Sequence, residues 1–470
     1  MTLIMSYGKV DKKIIGALIE IVGPGGVFTD TDNLEKYSVD ETTGVSGLPD
    51  VVVKPKMEGE VSSIMKLAHD CRVPVTPRSG GTGVTGGAVP AFGGIILSME
   101  RMNRIIEIDT ENLMAVVEPG VITGDLGRRA EEEGLFYPPD PASLDSCCIG
   151  GNVAESAGGP RAVKYGTTKD YVCGLRVVFP DGSVAKMGGK VVKNATGYDL
   201  IGLMVGSEGT LGIVTEITLR LLPLPRSSVD VLVPFADLET ASRAVSEIIR
   251  AKIVPATIEF LDRGAIRMAE EFLNKKMPFV DAGAQLLIEI DGGDRLEIER
   301  SMERIWEVCS SVGAGDMVVA ESTAQRDRLW EGRRCIREAV TSISKVKEGE
   351  DVVVPRSEIP RLVEGAKRLL DGLGLTSIFF GHAGDGNVHV EILKGDLTDE
   401  EWEERLPKAR EGLYRLADGL GGLLTGEHGI GMIRREYLSI SLGDAEIEIM
   451  KKIKDAVDPL GILNPGKIFE

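Results

Sequence analysis

The sequence predicts an α+β protein built from more than one structural unit, and three observations carry that reading. At 470 residues the chain exceeds what a single hydrophobic core usually organises. Short apolar runs bounded by Pro or Gly alternate with helical periodicity up to about residue 226, and a strand–helix–strand pattern resumes beyond it. The 58 glycines gather in short patches, which marks loops where backbone must approach something closely.

The elements follow in order. Ile14, Ile15, Leu18, Ile19 and Val22 share one helical face over 12–22, and a second amphipathic helix fits 58–70. VVV at 51–53, PVTP from 74, IILSM from 95 and LMAVVEP from 113 read as strands, with a helix over 123–134 between them and the next run. Asp181-Gly182 between apolar runs signals a hairpin, and TLGIVTEITLRLLPLP closes the first unit with a strand and prolines. From 228 to about 325 the pattern suits a compact α/β cap over an antiparallel sheet. Helices are predicted at about 326–345, 358–373, 400–419 and 444–456. The expected division is 1–226, 227–425 and a C-terminal segment 426–470 that completes the site.

A formal charge of -19 with no basic stripe argues against nucleic acid or an anionic membrane as partner. The opening MTLIMSYGKVDKK lacks a leader-like apolar core, and no run reaches the length of a spanning helix, so a soluble cytoplasmic protein is expected. The six cysteines show no C-x-x-C spacing, which excludes an iron–sulfur centre or zinc knuckle of that kind and predicts reduced thiols.

The loop PRSGGTGVTGGAVP at 77–90 follows a strand and lets many backbone N–H groups converge, as an anion cradle requires. It contains G-x-G-x-x-G at Gly81, Gly83 and Gly86. However, Pro90 and the absence of a following helical period exclude a dinucleotide fingerprint of the Rossmann kind. A second cluster combines Gly150-Gly151-Asn152 with Gly158-Gly159, and a third runs through Gly206, Gly209 and Gly212 into a strand. Three such patches within 150 residues point to one long ligand.

These residues carry a resemblance. R-S-G-G-T-G, P-P-D-P-A-S, G-G-N-V-A-E-S-A-G-G, V-G-S-E-G-T-L-G-I, G-H-x-G-D-G-N-x-H, G-E-H-G-I-G and N-P-G-K occur in order over essentially the whole chain. In this the chain resembles the vanillyl-alcohol-oxidase or PCMH-type FAD-binding family, in the branch of GlcD subunits and D-lactate or D-2-hydroxyglutarate dehydrogenases. The resemblance implies a PCMH-type FAD-binding domain of two α/β subdomains, a cap with an antiparallel sheet, and C-terminal helices returning to the flavin. It implies that Arg78, Ser79, Gly80, Gly81, Thr82 and Gly83 lie along the FAD pyrophosphate. Pro139, Ser143, Gly150, Gly151, Asn152 and Ser156 would approach the flavin and its linker, Gly158, Gly209 and Ile213 the ribityl-adenine side, and Asn464 the flavin ring. Covalent relatives commonly carry a flavin-linked histidine in the first glycine loop. Here that place holds Thr82, so non-covalent FAD is expected.

Only four histidines occur, and His382, His389 and His428 sit in glycine-rich motifs near the end of the chain. GHAGDGNVHVEIL reads as a strand, a Gly-Asp-Gly turn and a returning strand, so that His382 and His389 can face one another. Glu427 and His428 are consecutive, and extended backbone would send their side chains in opposite directions. Two imidazoles and a carboxylate with open positions suit a catalytic divalent metal, whether zinc, iron or manganese. The resemblance implies His382, His389 and Glu427 as its ligands, His428 as the base that deprotonates a D-2-hydroxy acid, and Arg333 as the substrate-carboxylate arginine. Arg334 and Arg337 fit a solvated helix face. The D-2-hydroxyglutarate dehydrogenases of this branch carry Thr four residues after that arginine and Asn two after the second histidine. Arg337 and Glu391 stand here instead, which favours a small monocarboxylate such as lactate or glycolate. The electrons would pass to an electron-transfer flavoprotein, an iron–sulfur subunit or a quinone, and a homodimer is compatible with the sequence. Alternatives are a D-2-hydroxyglutarate dehydrogenase, an oxidase or non-redox flavoenzyme of the same fold, and a metallohydrolase with structural glycine loops.

Overall fold

A computed structural model describes residues 7–469, which fall into two compact units. The first comprises the chain up to Gly158, Thr167–Leu224 and the stretch from His428 onward; the second comprises Gly159–Gly166 and Pro225–Glu427. All six cysteines are free.

In the first unit the helix Lys12–Val22 starts because the Asp11 carboxylate accepts from the N–H groups of Lys13 and Ile14, and it stops at Gly23 with φ +76°. Its buried residues Ile14, Leu18 and Val22 recur every fourth position and pack, with Ile64 and Met65 of the helix Glu58–Cys71, on a mixed sheet. That sheet consists of β1 (Val27–Phe28), β2 (Val51–Val53), β3 (Val75–Arg78) and β4 (Ile95–Ser98) in the order β1-β2-β4-β3. Val51, Val53, Ile95 and Leu97 point to this core, while Val52 and Ile96 meet Tyr37 on the opposite face, so both faces are covered.

The second sheet of this unit is antiparallel, with β5 (Ile105–Asp109), β6 (Met114–Val117), β8 (Val172–Val178), β9 (Val184–Gly188) and β10 (Ile213–Arg220) in the order β5-β6-β10-β8-β9. β7 (Leu135–Phe136) pairs with β11 (Leu222–Pro223). The hairpin expected at Asp181-Gly182 joins β8 to β9; Gly182 has φ +85°, and Asp181 accepts from the Ser183 N–H at 2.9 Å. The chain's end returns here, because Ile462 and Leu463 enter the core while Val75 and the 462–464 backbone exchange hydrogen bonds of 2.8 Å.

The second unit is organised by a seven-stranded antiparallel sheet. Its strands are β12 (Ser227–Phe235), β13 (Thr257–Asp262), β14 (Ala284–Gly292), β15 (Val318–Ala320), β16 (Lys347–Val353), β17 (Thr376–His382) and β18 (Asn387–Leu393), in the order β15-β12-β14-β13-β17-β18-β16. One face carries buried Val231, Val233, Ile258, Phe260, Ile288, Val352, Val388 and Val390. The other is divided along its length. Leu232, Leu261, Leu287, Ile378, Phe380 and Leu393 pack against the helices Arg263–Leu273, Thr323–Arg334 and Ile336–Ile343. Beyond them the same face turns charged, with Asp230, Glu259, Glu289, Asp291, Asp351, His382, His389 and Glu391.

The expected single helix over 326–345 is two helices meeting at Cys335. The break follows from packing. Leu329 fills one cluster with Leu232 and Leu287, whereas Ile336 and Val340 fill another with Leu261 and Phe380, and one straight axis does not serve both.

Candidate active site

The histidine centre forms on the charged part of that second sheet. Register puts Glu259 opposite His382 and Asp351 opposite His389, with Phe380 paired to His389 across the β17–β18 hairpin. Each imidazole is backed by a fully buried carboxylate: His382 Nδ1 lies 2.7 Å from Glu259 Oε1, and His389 Nδ1 lies 3.3 Å from Asp351 Oδ1. A carboxylate on Nδ1 keeps a proton on that nitrogen, so Nε2 is the atom that would present a lone pair to a metal displacing its proton. Both Nε2 atoms then converge on Glu427 Oε1, at 3.2 Å from His382 and 3.7 Å from His389, with the rings nearly perpendicular and 5.0 Å apart.

Glu427 is delivered by a loop that Asp351 ties down. Asp351 Oδ2 accepts from Thr425 Oγ1 at 2.9 Å, Gly426 N at 3.0 Å and Glu427 N at 2.9 Å, while Oδ1 accepts from Asn387 Nδ2 at 2.6 Å. Gly426 is required there, since a Cβ would stand 2.3 Å from Asn387 Nδ2. Burial opposes charge on Glu427, yet the neighbouring His382 and His389 hold its pKa down to about 2. Burial likewise opposes charge on His382, but Glu259 and Glu427 keep its pKa well above the ordinary value. The donor set of two imidazole nitrogens and a carboxylate is one that zinc, iron or manganese accepts.

Arg333 reaches the same cluster from the helix Thr323–Arg334. Arg326, Trp330 and Arg333 lie four and three residues apart on one helical face and donate respectively to Ser228, to Asp230 at 3.0 Å and to Glu259 at 2.7 Å. The Arg333 guanidinium also sits 5.0 Å from the Phe380 ring centroid, and its Nε takes Glu259, which leaves the two Nη groups as a fork for a carboxylate. Arg334 and Arg337 are exposed. Glu391 is held by Lys347 at 3.0 Å, with both nearly buried.

In the first unit the glycine patches come together. Gly80 packs so tightly on the 146–148 backbone that a Cβ would lie 2.8 Å from Ser146 O, and a Cβ on Gly150 would lie 2.5 Å from Pro119. By contrast Gly151 faces no protein atom within 4 Å, and Gly83 meets only Asp40 at 3.9 Å. Asn464 Oδ1, Tyr137 Oη and Glu155 Oε2 are buried without a protein partner. Bare backbone beside orphaned buried polar atoms fits a long polar cofactor.

The individual residues divide. Thr82 lies with Ser79 and Gly81 in the loop after β3, and Pro139 and Ser143 lie in the loop after β7. Ser156, at φ +53°, ends the helix Ile149–Glu155, and Gly158 is the last residue before the chain passes to the second unit. Arg78 donates to Val39 O at 2.6 Å and rests over Tyr37, and Asn152 Nδ2 donates to Thr123 at 2.7 Å, so both are engaged within the protein. Ile213 is a core residue packed with Val178. Gly209, at φ +65°, abuts Pro77 and Asn464, whose Nδ2 donates to Gly87 O at 3.0 Å and Glu208 O at 2.8 Å.

Residues 426–428 run through a bend, not the extended backbone expected, so strand alternation does not set the directions of Glu427 and His428. His428 opens the returning segment of the first unit, where Glu208 accepts from Ile430 N at 2.8 Å and Gly431 N at 2.7 Å. Glu208, Glu259 and Asp351 were not anticipated. For Glu259 the available signal was an acid inside an apolar strand run, TIEFL, and for Asp351 an acid leading into the apolar run DVVV; Glu208 lies in a glycine-rich turn without such a signal.

Residues 224–468 match the family "FAD linked oxidases, C-terminal domain", and residues 49–188 match "FAD binding domain". The chain belongs to this FAD-linked oxidase family. It is 41% identical to the glycolate oxidase subunit GlcD of Bacillus subtilis over 98% of this chain and 97% of that one. It is 37% identical to a D-lactate dehydrogenase of Anaerostipes hadrus, over 98% of each chain. With a D-2-hydroxyglutarate dehydrogenase of Stutzerimonas stutzeri it shares 34% identity over 98% of this chain and 99% of that one. Among solved structures, p-cresol methylhydroxylase aligns with a TM-score of 0.80 at 20% identity, covering 97% of this chain and 96% of that one, which bears on the fold alone. The mixed α/β architecture of an FAD-binding domain with a cap is therefore the one predicted, and the protein is an FAD-linked hydroxy-acid oxidoreductase. Among the described residues no helix is long and apolar enough to cross a membrane.

Proposed function

We propose that this family member oxidises a small D-2-hydroxy acid, D-lactate or glycolate in preference, to the 2-oxo acid, with non-covalent FAD and a divalent metal, zinc in preference to iron or manganese. The observation that carries this reading is the convergence of His382 Nε2 and His389 Nε2 on Glu427, each imidazole oriented by a buried carboxylate on its Nδ1. When bound, the flavin supplies a hydride acceptor and the metal a Lewis acid for the substrate's 2-hydroxyl.

The chain's own groups do the rest. The Arg333 fork holds the substrate carboxylate, and its fixed Nε contact sets the direction from which that carboxylate enters. His428 removes the hydroxyl proton as general base. Thr82, at the position of the flavin-linked histidine in covalent relatives, forms no such bond, and Asn464, with its orphaned Oδ1, meets the flavin ring. Glu391 and exposed Arg337 stand where D-2-hydroxyglutarate dehydrogenases carry Asn and Thr, and Lys347 on the charged face is already paired with Glu391, which favours a monocarboxylate. Electrons leave to an electron-transfer flavoprotein, an iron–sulfur subunit or a quinone. The test is anaerobic mixing of the purified flavoprotein with D- and L-lactate, glycolate and D-2-hydroxyglutarate, with and without chelator, following the visible flavin band. Bleaching by D-lactate or glycolate that chelator abolishes is expected; reduction by L-lactate alone, or reduction indifferent to chelator, refutes the proposal.

A further inference from the structure

Glu259 is 0% exposed on the middle of β13, and each of its oxygens has a different partner: Oε2 accepts from Arg333 Nε and Oε1 meets His382 Nδ1, both at 2.7 Å. No other group links these two side chains in this way among the described residues. Arg333 is 9% and His382 3% exposed, and the Phe380 ring lies against the guanidinium, so neither partner can turn away without leaving one oxygen of a buried carboxylate without its donor. Because the guanidinium is planar, pinning Nε also fixes where the two Nη groups point.

We propose that Glu259 is a positioning residue that couples the substrate-carboxylate fork of Arg333 to the metal-ligand geometry of His382, so that affinity at one is set partly by the other. This rests on the roles given to those two residues above. Coupling of this kind is reciprocal: whatever factor a bound carboxylate contributes to metal affinity, the bound metal contributes to carboxylate affinity.

Glu259→Gln keeps the shape but offers one carbonyl and one amide N–H, so either Arg333 or His382 faces a donor where it needs an acceptor. Zinc affinity, measured on the flavin-loaded protein by competition with a chromophoric chelator, is expected to fall roughly 10- to 100-fold. KM for D-lactate should rise about tenfold or more, the cost of one misdirected charge-assisted hydrogen bond, while kcat at saturating zinc and lactate changes less. Arg333→Lys, which keeps a cation and touches no metal ligand, should change zinc affinity by about fivefold through Glu259 alone. A merely structural role would lower the melting temperature of Glu259→Gln and leave zinc affinity and KM within twofold of the parent; that result overturns the proposal, as does unaltered zinc affinity in Arg333→Lys. A parent protein that binds zinc but reduces its flavin with no hydroxy acid would sink the functional reading instead, and the zinc titrations would still decide the coupling.

Discussion

Asp351→Asn separates what this carboxylate does for the fold from what it does for the histidine centre. Asp351 Oδ2 accepts three hydrogen bonds from Thr425, Gly426 and Glu427, and a carboxamide oxygen in its place keeps all three as neutral bonds. Charge-assisted bonds are roughly twice as strong as neutral ones, so losing the charge costs about 2–3 kcal/mol, or a melting temperature about 5–10 °C lower. The Oδ1 side is different. The new amide N–H faces Asn387 Nδ2, which can rotate its unpartnered Oδ1 inward only by giving up its bond to Val352 O. It also faces His389 Nδ1, which must then become the acceptor. That tautomer carries its proton on Nε2, the atom that would bind the proposed metal, so zinc affinity should fall roughly 10- to 100-fold. Differential scanning of the apoprotein and chelator competition on the flavin-loaded protein read the two effects independently. A variant that melts lower but binds zinc within twofold of the parent refutes the tautomer argument, and with it the assignment of Asp351 as the orienting group of His389.

Two further outcomes are expected. His428→Ala should retain its yellow colour and flavin stoichiometry while flavin reduction by D-lactate slows at least about a hundredfold, the usual contribution of a general base; near-normal reduction in stopped flow rejects that role. Asp230, buried and facing Glu289 across the β12–β14 pair, has its pKa pushed up to about 7 by burial and by that neighbour. Since the folded value lies above the unfolded one, its favourable contribution is complete below about pH 4 and is lost as pH rises through 7, by up to about 4 kcal/mol. Asp230→Asn leaves Trp330 Nε1 an acceptor but removes the titration. Its melting temperature should therefore exceed the parent's at pH 8 and lose that advantage at pH 4; parallel pH profiles would show that Asp230 carries no such penalty.

The first unit was largely legible because its two larger sheets and the helices on them obey local rules. Helices at 12–22 and 58–71 and the hairpin at Asp181-Gly182 announce themselves through apolar spacing, a capping aspartate and a turn glycine. The second unit's strands were harder. Burial is near-continuous along β13 and β18, and although NVHVEIL alternates polar with apolar residues, that alternation does not say which neighbouring strand supplies the partners of its polar face. The break at Cys335 was invisible for a related reason: it depends on which of two clusters each turn of helix meets, and helical periodicity is continuous through it.

The site was half legible in the same sense. His382, His389 and Glu427 stand out because glycine-rich motifs surround them, whereas Glu259 is a single acid in an apolar strand and Asp351 follows Glu348 and Glu350 in theirs, and only the register of β13 against β17 and of β16 against β18 brings each beside an imidazole. Their burial nevertheless has a physical consequence that a sequence can betray. A carboxylate with no exposed surface costs several kcal/mol unless donors surround it, so a charged residue inside an otherwise apolar strand implies partners of opposite character on neighbouring strands. Here those partners are the imidazoles themselves, together with Arg333, the Thr425 hydroxyl and the 426–427 backbone. The contacts that orient the centre are thus the ones that make this end of the sheet stable, and losing either histidine removes one partner from a buried anion that its remaining donors must then hold alone.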